Sequence, residues 1–191
     1  VDTLAPDGYI LNSEPVEVEL IYAGQEVAVT RAGAVVSDAP QKGIIEIVKT
    51  DEADGRAVPG AVYEVTAAAD VATPDGTVHA SSGDVVATVV TGDDGKAETD
   101  ELYLGEYNVR ETATPDGWAI DRETHKVVLE YAGQEVEVTR TVFETADAPT
   151  VFKLMKKAEQ VDGELVDYEG SEWRVWAEDA AGEVAYEAVA T

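Results

Sequence analysis

One glutamate occupies a place where a solvated charge is not expected, at the end of an apolar strand face. Tyr103, Tyr107 and Val109 alternate along one face of residues 101–111, as residues of a β-strand do. Glu111 continues that face, so its carboxyl group is predicted to be buried. A buried acid needs a hydrogen-bonding or charged partner, and the rest of the sequence must supply it.

Two lysines occupy matching positions at the ends of apolar strand faces. Lys49 follows Ile45 and Ile47 on one face, and Lys156 ends a similar face. A single lysine in such a place could be a surface residue whose stem covers apolar side chains. The repeated placement favours a buried amine instead.

An aspartate closes the last predicted strand in two copies of one sequence pattern. Asp147 does so in the second copy and Asp38 in the first, although either could be an ordinary turn residue before Ala-Pro. Burial disfavours the charged forms of amines and carboxyl groups, so folding could place a neutral amine beside a protonated acid. The alternative is that Lys49, Glu111 and Asp147 form a buried ion network and no covalent bond.

Short strands separated by turns must position these residues. Residues 67–72 are the one candidate helix, and Thr73-Pro74 would end it. The turn Ala132-Gly133-Gln134 is predicted to form a hairpin between the last two strands. The spacing of strands and turns predicts a β-sandwich of about seven strands. The main predicted strands are 44–50, 61–66, 84–91, 101–111, 125–131 and 135–143.

The chain repeats itself over a long interval. Residues 3–40 and 112–149 match at a constant offset, and Tyr-Ala-Gly-Gln-Glu-Val occurs unchanged at 22–27 and 131–136. A period this long indicates tandem domains and not a solenoid of small units. We therefore predict three regions, which are the C-terminal part of a first domain at 1–40, a complete domain at 41–149 and the N-terminal part of a third at 150–191.

Composition excludes several classes of function. The formal charge of −27 makes nucleic acid and anionic membrane surfaces poor partners. The chain has no cysteine, so neither a disulfide nor a thiol nucleophile is available. It also lacks an apolar run of about 18 residues that could span a bilayer. The two histidines, His79 and His125, are isolated, so neither a metal nor another cofactor is expected.

The order of these features resembles the B-type domain of Gram-positive collagen adhesins and SpaA-like pilins. The most specific part is residues 102–118, Leu-Tyr-Leu-Gly-Glu-Tyr-Asn-Val-Arg-Glu followed by Pro-Asp-Gly-Trp. The resemblance covers nearly all of 43–149 and parts of both flanks. It implies an all-β chain of tandem prealbumin-like (Ig-like) β-sandwiches, one complete and two partial.

Many domains of that family form an intramolecular isopeptide bond between a lysine on the first strand and an Asn or Asp on the last. A buried Glu promotes the reaction. The resemblance therefore implies that Lys49 is the nucleophile, Asp147 the acceptor and Glu111 the proton shuttle. An Asp acceptor would release water. Such a reaction occurs once per molecule, so the domain would not be an enzyme.

The flanking regions hold possible remnants of further sites. Asp2 aligns with Glu111 and Asp38 with Asp147, but no lysine precedes them, and Lys156 has no matching acid after it. Lys156 of one chain could meet Asp2 and Asp38 of another and build a polymer. The alternative is that both ends are truncations of a longer protein.

The expected function is a structural stalk domain of a bacterial cell-surface adhesin or pilin. Such a protein is extracellular and attached to the cell surface or cell wall. Its expected partners are neighbouring domains of the array and other copies of the chain. The alternative is a module of the same fold that binds a host protein or a carbohydrate without forming the bond. A hydrolase with paired carboxylates is disfavoured, because no candidate pair is placed across a cleft.

Overall fold

A computed structural model describes residues 1–27, 29–150, 157–161, 163–167, 173–178 and 184–190. The chain divides into two compact units, 1–150 and 151–191. All regular secondary structure in the described residues is β, which confirms the all-β class. The strands of the first unit are β1 Tyr9–Ile10, β2 Ala39–Pro40, β3 Lys42–Asp51, β4 Val62–Ala67, β5 Val71–Ala72, β6 Val78–Ala80, β7 Val85–Val90, β8 Lys96–Glu98, β9 Leu102–Tyr103, β10 Gly105–Ala113, β11 Thr124–Leu129 and β12 Val138–Asp147.

The second unit contains two described antiparallel pairs. Strand β13 (Lys157–Glu159) pairs with β14 (Leu165–Asp167), and β15 (Trp173–Glu178) pairs with β16 (Val184–Ala190). The predicted division of the chain into 1–40, 41–149 and 150–191 stays a prediction.

Two sheets form the sandwich of the first unit. One has the strand order β11-β10-β4-β7, and the other has the order β12-β3-β8, with β9 also paired to β3. Burial alternates along β3 and β10, as expected for strands with one face toward a core. The core contains buried side chains from both sheets, among them Ile45, Ile47, Tyr63, Val65, Tyr107, Val109, Val127 and Leu129.

The first and last long strands of the sandwich lie side by side. Strand β12 pairs with β3 in parallel along ten residue pairs, from Val138↔Lys42 to Asp147↔Asp51. Parallel neighbours need a long connection between them, and here the rest of the sandwich supplies it. Both strands therefore end at the same edge, with Asp147 close to Lys49.

The predicted strand 101–111 is wrong in one respect, because the chain changes sheet at Leu104. Strand β9 pairs with the beginning of β3, whereas β10 pairs with β4 and β11 in the other sheet. Gly105 lies at this crossing, where an added Cβ would approach the side chain of Val71 to 3.2 Å. The small residue that interrupts the strand pattern therefore marks a crossing between the sheets.

The predicted hairpin between 125–131 and 135–143 is also wrong. A turn is present at Gly133, where φ is +100° and Val136 N donates to the Gly133 carbonyl at 3.1 Å. However, the buried Gln41 side chain donates to the carbonyls of Gly133 and Val136 and accepts from Ala132 N. These bonds tie the turn to the start of β3, so β12 continues beside β3 instead of returning along β11.

Residues 67–72 do not form the predicted helix. Ala67 N donates to the Asp84 carbonyl and Ala68 N to the Glu106 carbonyl, each at 2.9 Å. Val71 is buried at the start of β5, which pairs with β6. Pairing with neighbouring strands thus overrides the helix propensity of the alanines.

Backbone contacts repeat along with the sequence in the first unit. Tyr9 pairs with Pro40, and Trp118 forms the matching bridge to Pro149. Gln41 N donates to the Gly8 carbonyl at 2.8 Å, and the aligned Thr150 N donates to Gly117 at 2.7 Å. The Pro-Asp-Gly loop therefore has the same local structure in both copies.

In the part of the chain that the structure describes, no candidate membrane-spanning helix is found.

Candidate functional site

Lys49 extends from β3 into the core. Its N–H donates to the Gly95 carbonyl at 2.8 Å, and its own carbonyl accepts from Val58 N at 3.1 Å. Ile45 and Ile47 precede it on the same buried face, as the sequence predicts. The side chain has no solvent exposure at all, so it does not reach the surface.

Asp147 ends β12 next to this lysine. Thr145 pairs with Lys49, and Asp147 lies two residues further on the same inward face. Lys49 Nζ donates to Asp147 Oδ1, and Thr114 Oγ1 donates to Asp147 Oδ2 at 2.7 Å. The side chain of Asp147 is 1% exposed. The lysine and the aspartate predicted to react are therefore in direct contact.

Glu111 approaches the same lysine from the opposite sheet. It lies on β10, and its Oε2 is 3.5 Å from Lys49 Nζ and accepts from Asp121 N at 2.9 Å. Its other oxygen, Oε1, is buried and has no hydrogen-bond partner among the described residues. The pairing of β10 with β4 shifts register just after Glu111, and such irregularities are common beside functional sites.

The surroundings of Glu111 favour its neutral form. Burial raises the pKa of Glu111, and the charge of Asp147 raises it further, although the Asp121 N–H and Lys49 act in the opposite direction. Burial also raises the pKa of Tyr63, with contributions from the charges of Glu111 and Asp147. The Tyr63 ring centroid lies 5.8 Å from Lys49 Nζ. The amine thus lies in a closed pocket between two acids and a neutral phenol.

A third buried acid, Asp51, lies at the end of β3, two residues after Lys49. Asp51 Oδ1 accepts from Ala53 N at 2.7 Å, and Oδ2 accepts from Trp118 Nε1 at 3.1 Å and from Arg56 at 3.2 Å. The Ala53 N–H is the strongest influence that lowers the pKa of Asp51, followed by Trp118 and Arg56. These bonds hold the Pro-Asp-Gly-Trp segment over the strand end.

The sequence-based expectations do not include the contacts that Thr114, Asp121 and Tyr63 make in the site. The repeat does contain a signal that could identify Thr114. The Pro-Asp-Gly that follows it is the same in both copies, but the first copy has Ala5 in place of the threonine. Asp121 contacts Glu111 through its backbone N–H, and a sequence pattern gives little indication of such a contact.

The predicted remnant residues are not brought together in the described structure. Asp2 Oδ1 accepts from Thr3 N at 2.7 Å, a local contact, and Asp38 Oδ1 accepts from Asn12 N at 3.0 Å. Among the described residues, no hydrogen bond or ion pair connects Asp2 with Asp38. Lys156 lies outside the described residues.

The histidines have partners other than a metal. The ring of His79 stacks on Tyr103 at 3.5 Å, and His125 Nε2 lies 2.7 Å from Asp121 Oδ2. In the part of the chain that the structure describes, no three His, Asp or Glu side chains are grouped to hold a metal ion.

Known structures provide several partial matches. The Bacillus anthracis TIE protein is 20% identical, with a TM-score of 0.47, over 85% of this chain and 28% of that protein. The major pilin SpaD of Corynebacterium diphtheriae is 22% identical, with a TM-score of 0.44, over 61% of this chain and 31% of that protein. GBS52, the minor pilin of Streptococcus agalactiae, is 17% identical, with a TM-score of 0.43, over 60% of this chain and 47% of that protein.

This chain therefore spans less than half the length of each of these three proteins. A search of curated proteins finds no match. One family model, described as SpaA, prealbumin-like fold domain, matches residues 43–142. The match covers just over half of the chain and confirms the resemblance to SpaA-like domains. The chain belongs to the family of SpaA prealbumin-like fold domains.

Proposed function

We propose that residues 41–149 form a stalk domain of a Gram-positive surface adhesin or pilin, closed by an isopeptide bond between Lys49 and Asp147. Membership of the SpaA family and the repeated domain pattern support the stalk role. In this proposal the protein lies outside the cell, attached to its surface, and its neighbours are further domains of the array and other copies of the chain. A polymer in which Lys156 of one chain meets Asp2 and Asp38 of another is a further form of this proposal.

One observation carries the bond proposal, namely the burial of one amine between two acids. Lys49 Nζ donates to Asp147 and lies 3.5 Å from Glu111, and each of the three side chains is at most 1% exposed. Keeping an ammonium group and a carboxylate buried is costly even when they are paired. A reaction that turns the Lys49 amine and the Asp147 acid into a neutral amide removes both ionisable groups, so burial favours the product.

In the proposed reaction, Glu111 moves the protons that must be transferred. The neutral Lys49 amine attacks Asp147 Cγ and forms the C–N bond. The leaving oxygen of Asp147 already carries the proton of the carboxylic acid, Glu111 gives it a second proton, and it departs as water. The nitrogen then returns one proton to Glu111, so the balance is amine plus carboxylic acid to amide plus water. Because its pKa is raised, Glu111 keeps a proton at pH values where an exposed glutamate has lost it.

The intact mass of the protein under denaturing conditions tests this proposal. The wild-type chain should be lighter than its sequence mass by one water. Glu111→Gln keeps the size of the side chain but cannot shuttle the proton, and Lys49→Met removes the nucleophile, so both should have the full sequence mass. A wild-type mass equal to the sequence mass would overturn the bond.

The chain offers a matched control for each variant. Lys42→Met changes a lysine of the same strand that is partly exposed, 3.8 Å from Glu101. Glu106→Gln changes an exposed glutamate of the same strand as Glu111. Both controls should still lose one water. Tryptophan fluorescence of each variant separates the loss of the reaction from the loss of the fold.

A ligand-binding module of the same fold is the second candidate, and a surface groove favours it. Glu64, Thr66, Asn108, Arg110 and Thr124 line a shallow polar groove of about 280 Å³ on the outer face of one sheet. Binding of a host protein or a carbohydrate there, in a chain that retains its full sequence mass, would favour this candidate over a stalk domain with the Lys49–Asp147 bond.

A further inference from the structure

Asp147 has a second side-chain hydrogen-bond partner besides Lys49, and the two partners contact different oxygens of its carboxyl group. Oδ1 accepts from Lys49 Nζ, which also lies 3.5 Å from Glu111 Oε2. Oδ2 is on the other side of the carboxyl group and accepts from Thr114 Oγ1 at 2.7 Å. Only Oδ1 is therefore hydrogen-bonded to the amine, and only Oδ2 is hydrogen-bonded to the threonine hydroxyl.

We infer that Thr114 is the hydroxyl donor that stabilises the retained oxygen of Asp147 during amide formation, an inference that rests on the proposed function. When the Lys49 amine attacks Asp147 Cγ, negative charge develops on the oxygen that stays bound to carbon. A donor already placed at that oxygen stabilises the charge without reorganisation. Oδ1, which carries the proton of the carboxylic acid, takes a second proton from Glu111 and leaves as water. Oδ2 becomes the carbonyl oxygen of the amide and keeps the Thr114 hydrogen bond.

The first copy of the repeat supports this role, because it lacks the donor together with the glutamate. Ala5 stands at the position of Thr114 and Asp2 at that of Glu111. The aligned acceptor Asp38 bonds instead to the Asn12 N–H at 3.0 Å. An alanine is thus accepted before the same Pro-Asp-Gly turn, so the turn itself does not require the threonine hydroxyl.

The rate of water loss after synthesis tests this inference. The full chain is made by cell-free translation, samples are stopped in acidic denaturant at intervals, and the intact mass gives the fraction that has lost water. Removing one donor from an oxyanion site slows a reaction by about 10²–10³ in a fully enclosed site. Because Thr114 is only half-buried, Thr114→Val and Thr114→Ala should slow water loss by about 10- to 100-fold. Thr114→Ser should react nearly as fast as the wild type.

Thr112 provides the matched control. Its hydroxyl donates to the Val62 carbonyl at 3.2 Å and does not touch the site, so Thr112→Val should react at the wild-type rate. A purely structural role of Thr114 would be shown if the serine variant were as slow as the valine variant. Unchanged rates in both Thr114→Val and Thr114→Ala would overturn the inference. A wild-type chain that never loses water would instead refute the proposed function.

Discussion

Two buried acids near the end of β3, Glu111 and Asp51, have pKa values that are shifted in opposite directions. Glu111 is buried with an oxygen that lacks a partner among the described residues, and its pKa is raised. Asp51 is equally hidden, but three donors converge on its carboxylate and its pKa is lowered. The number of donors, and not burial alone, decides which acid keeps its charge.

Asp51 should make the fold sensitive to acid. Because its pKa is lower in the folded chain than in the unfolded chain, its stabilising effect is complete above the unfolded pKa and is lost as the pH falls through the folded pKa. Asp51→Asn should therefore be less stable than the wild type at neutral pH, and the difference should shrink in acid. Urea unfolding at a series of pH values measures this.

The control for that series is Asp116→Asn, which changes an exposed aspartate of the nearby turn. This variant should follow the wild-type curve. A stability difference between Asp51→Asn and wild type that stayed constant down to strongly acidic pH would rule out the charged form of Asp51 as its cause.

Among the elements, β3 matters most, because it carries Lys49 and pairs with β12 and β8. Its position at Lys49 depends on Gly95, whose φ is +73° and whose added Cβ would lie 2.5 Å from the Lys49 carbonyl oxygen. A side chain there would push directly on β3 at Lys49, the proposed nucleophile. Gly76 also has a positive φ, +86°, but nothing lies within 4 Å of its added Cβ.

Comparing alanine at these two glycines should separate backbone strain from steric displacement. Gly76→Ala should cost about 1–2 kcal/mol of unfolding free energy, as expected for the left-handed conformation alone. Gly95→Ala should cost a further 1–3 kcal/mol, roughly the cost of overpacking, and should slow the loss of water. Denaturant unfolding and intact mass measure the two effects. Equal costs for both variants would mean that β3 tolerates the displacement.

The sequence was sufficient to predict those elements whose pattern is local. The alternation of Ile45, Ile47 and Lys49 on one strand, and of Tyr107, Val109 and Glu111 on another, predicts which side chains face the core, and the structure brings these two faces together. The sheet to which each strand belongs could not be predicted. The change of sheet at Leu104 and the path of β12 depend on long-range contacts, such as those of Gln41.

At the scale of the whole molecule, the proposed bond would join strands that lie at opposite ends of the domain's sequence. Lys49 and Asp147 are 98 residues apart, so the bond would close most of the domain into one loop. By analogy with a disulfide, closing a loop of about 100 residues stabilises a fold by about 4–5 kcal/mol. A pulling force applied to the chain would pass through β3, the bond and the end of β12, leaving the rest of the sandwich unloaded.

Removing the bond should therefore weaken the domain by about 4–5 kcal/mol. The comparison is between the wild type and Glu111→Gln, with Glu106→Gln as the control for the loss of a glutamate from the same strand. Guanidinium unfolding measures the difference. In denaturing gels the wild type should also migrate faster than Glu111→Gln, because a closed loop is more compact. An identical unfolding midpoint in these two proteins would contradict a mechanical role for the bond.

The most direct measurement is a tandem mass spectrum of a tryptic digest of the wild-type chain. An amide on Lys49 blocks cleavage after that residue, so the account predicts a branched peptide that joins residues 43–56 to residues 141–153, lighter by one water, with fragments that place the link on Lys49 and Asp147. Cleavage after Lys49, with separate linear peptides 43–49 and 50–56 and an unmodified 141–153, would contradict it.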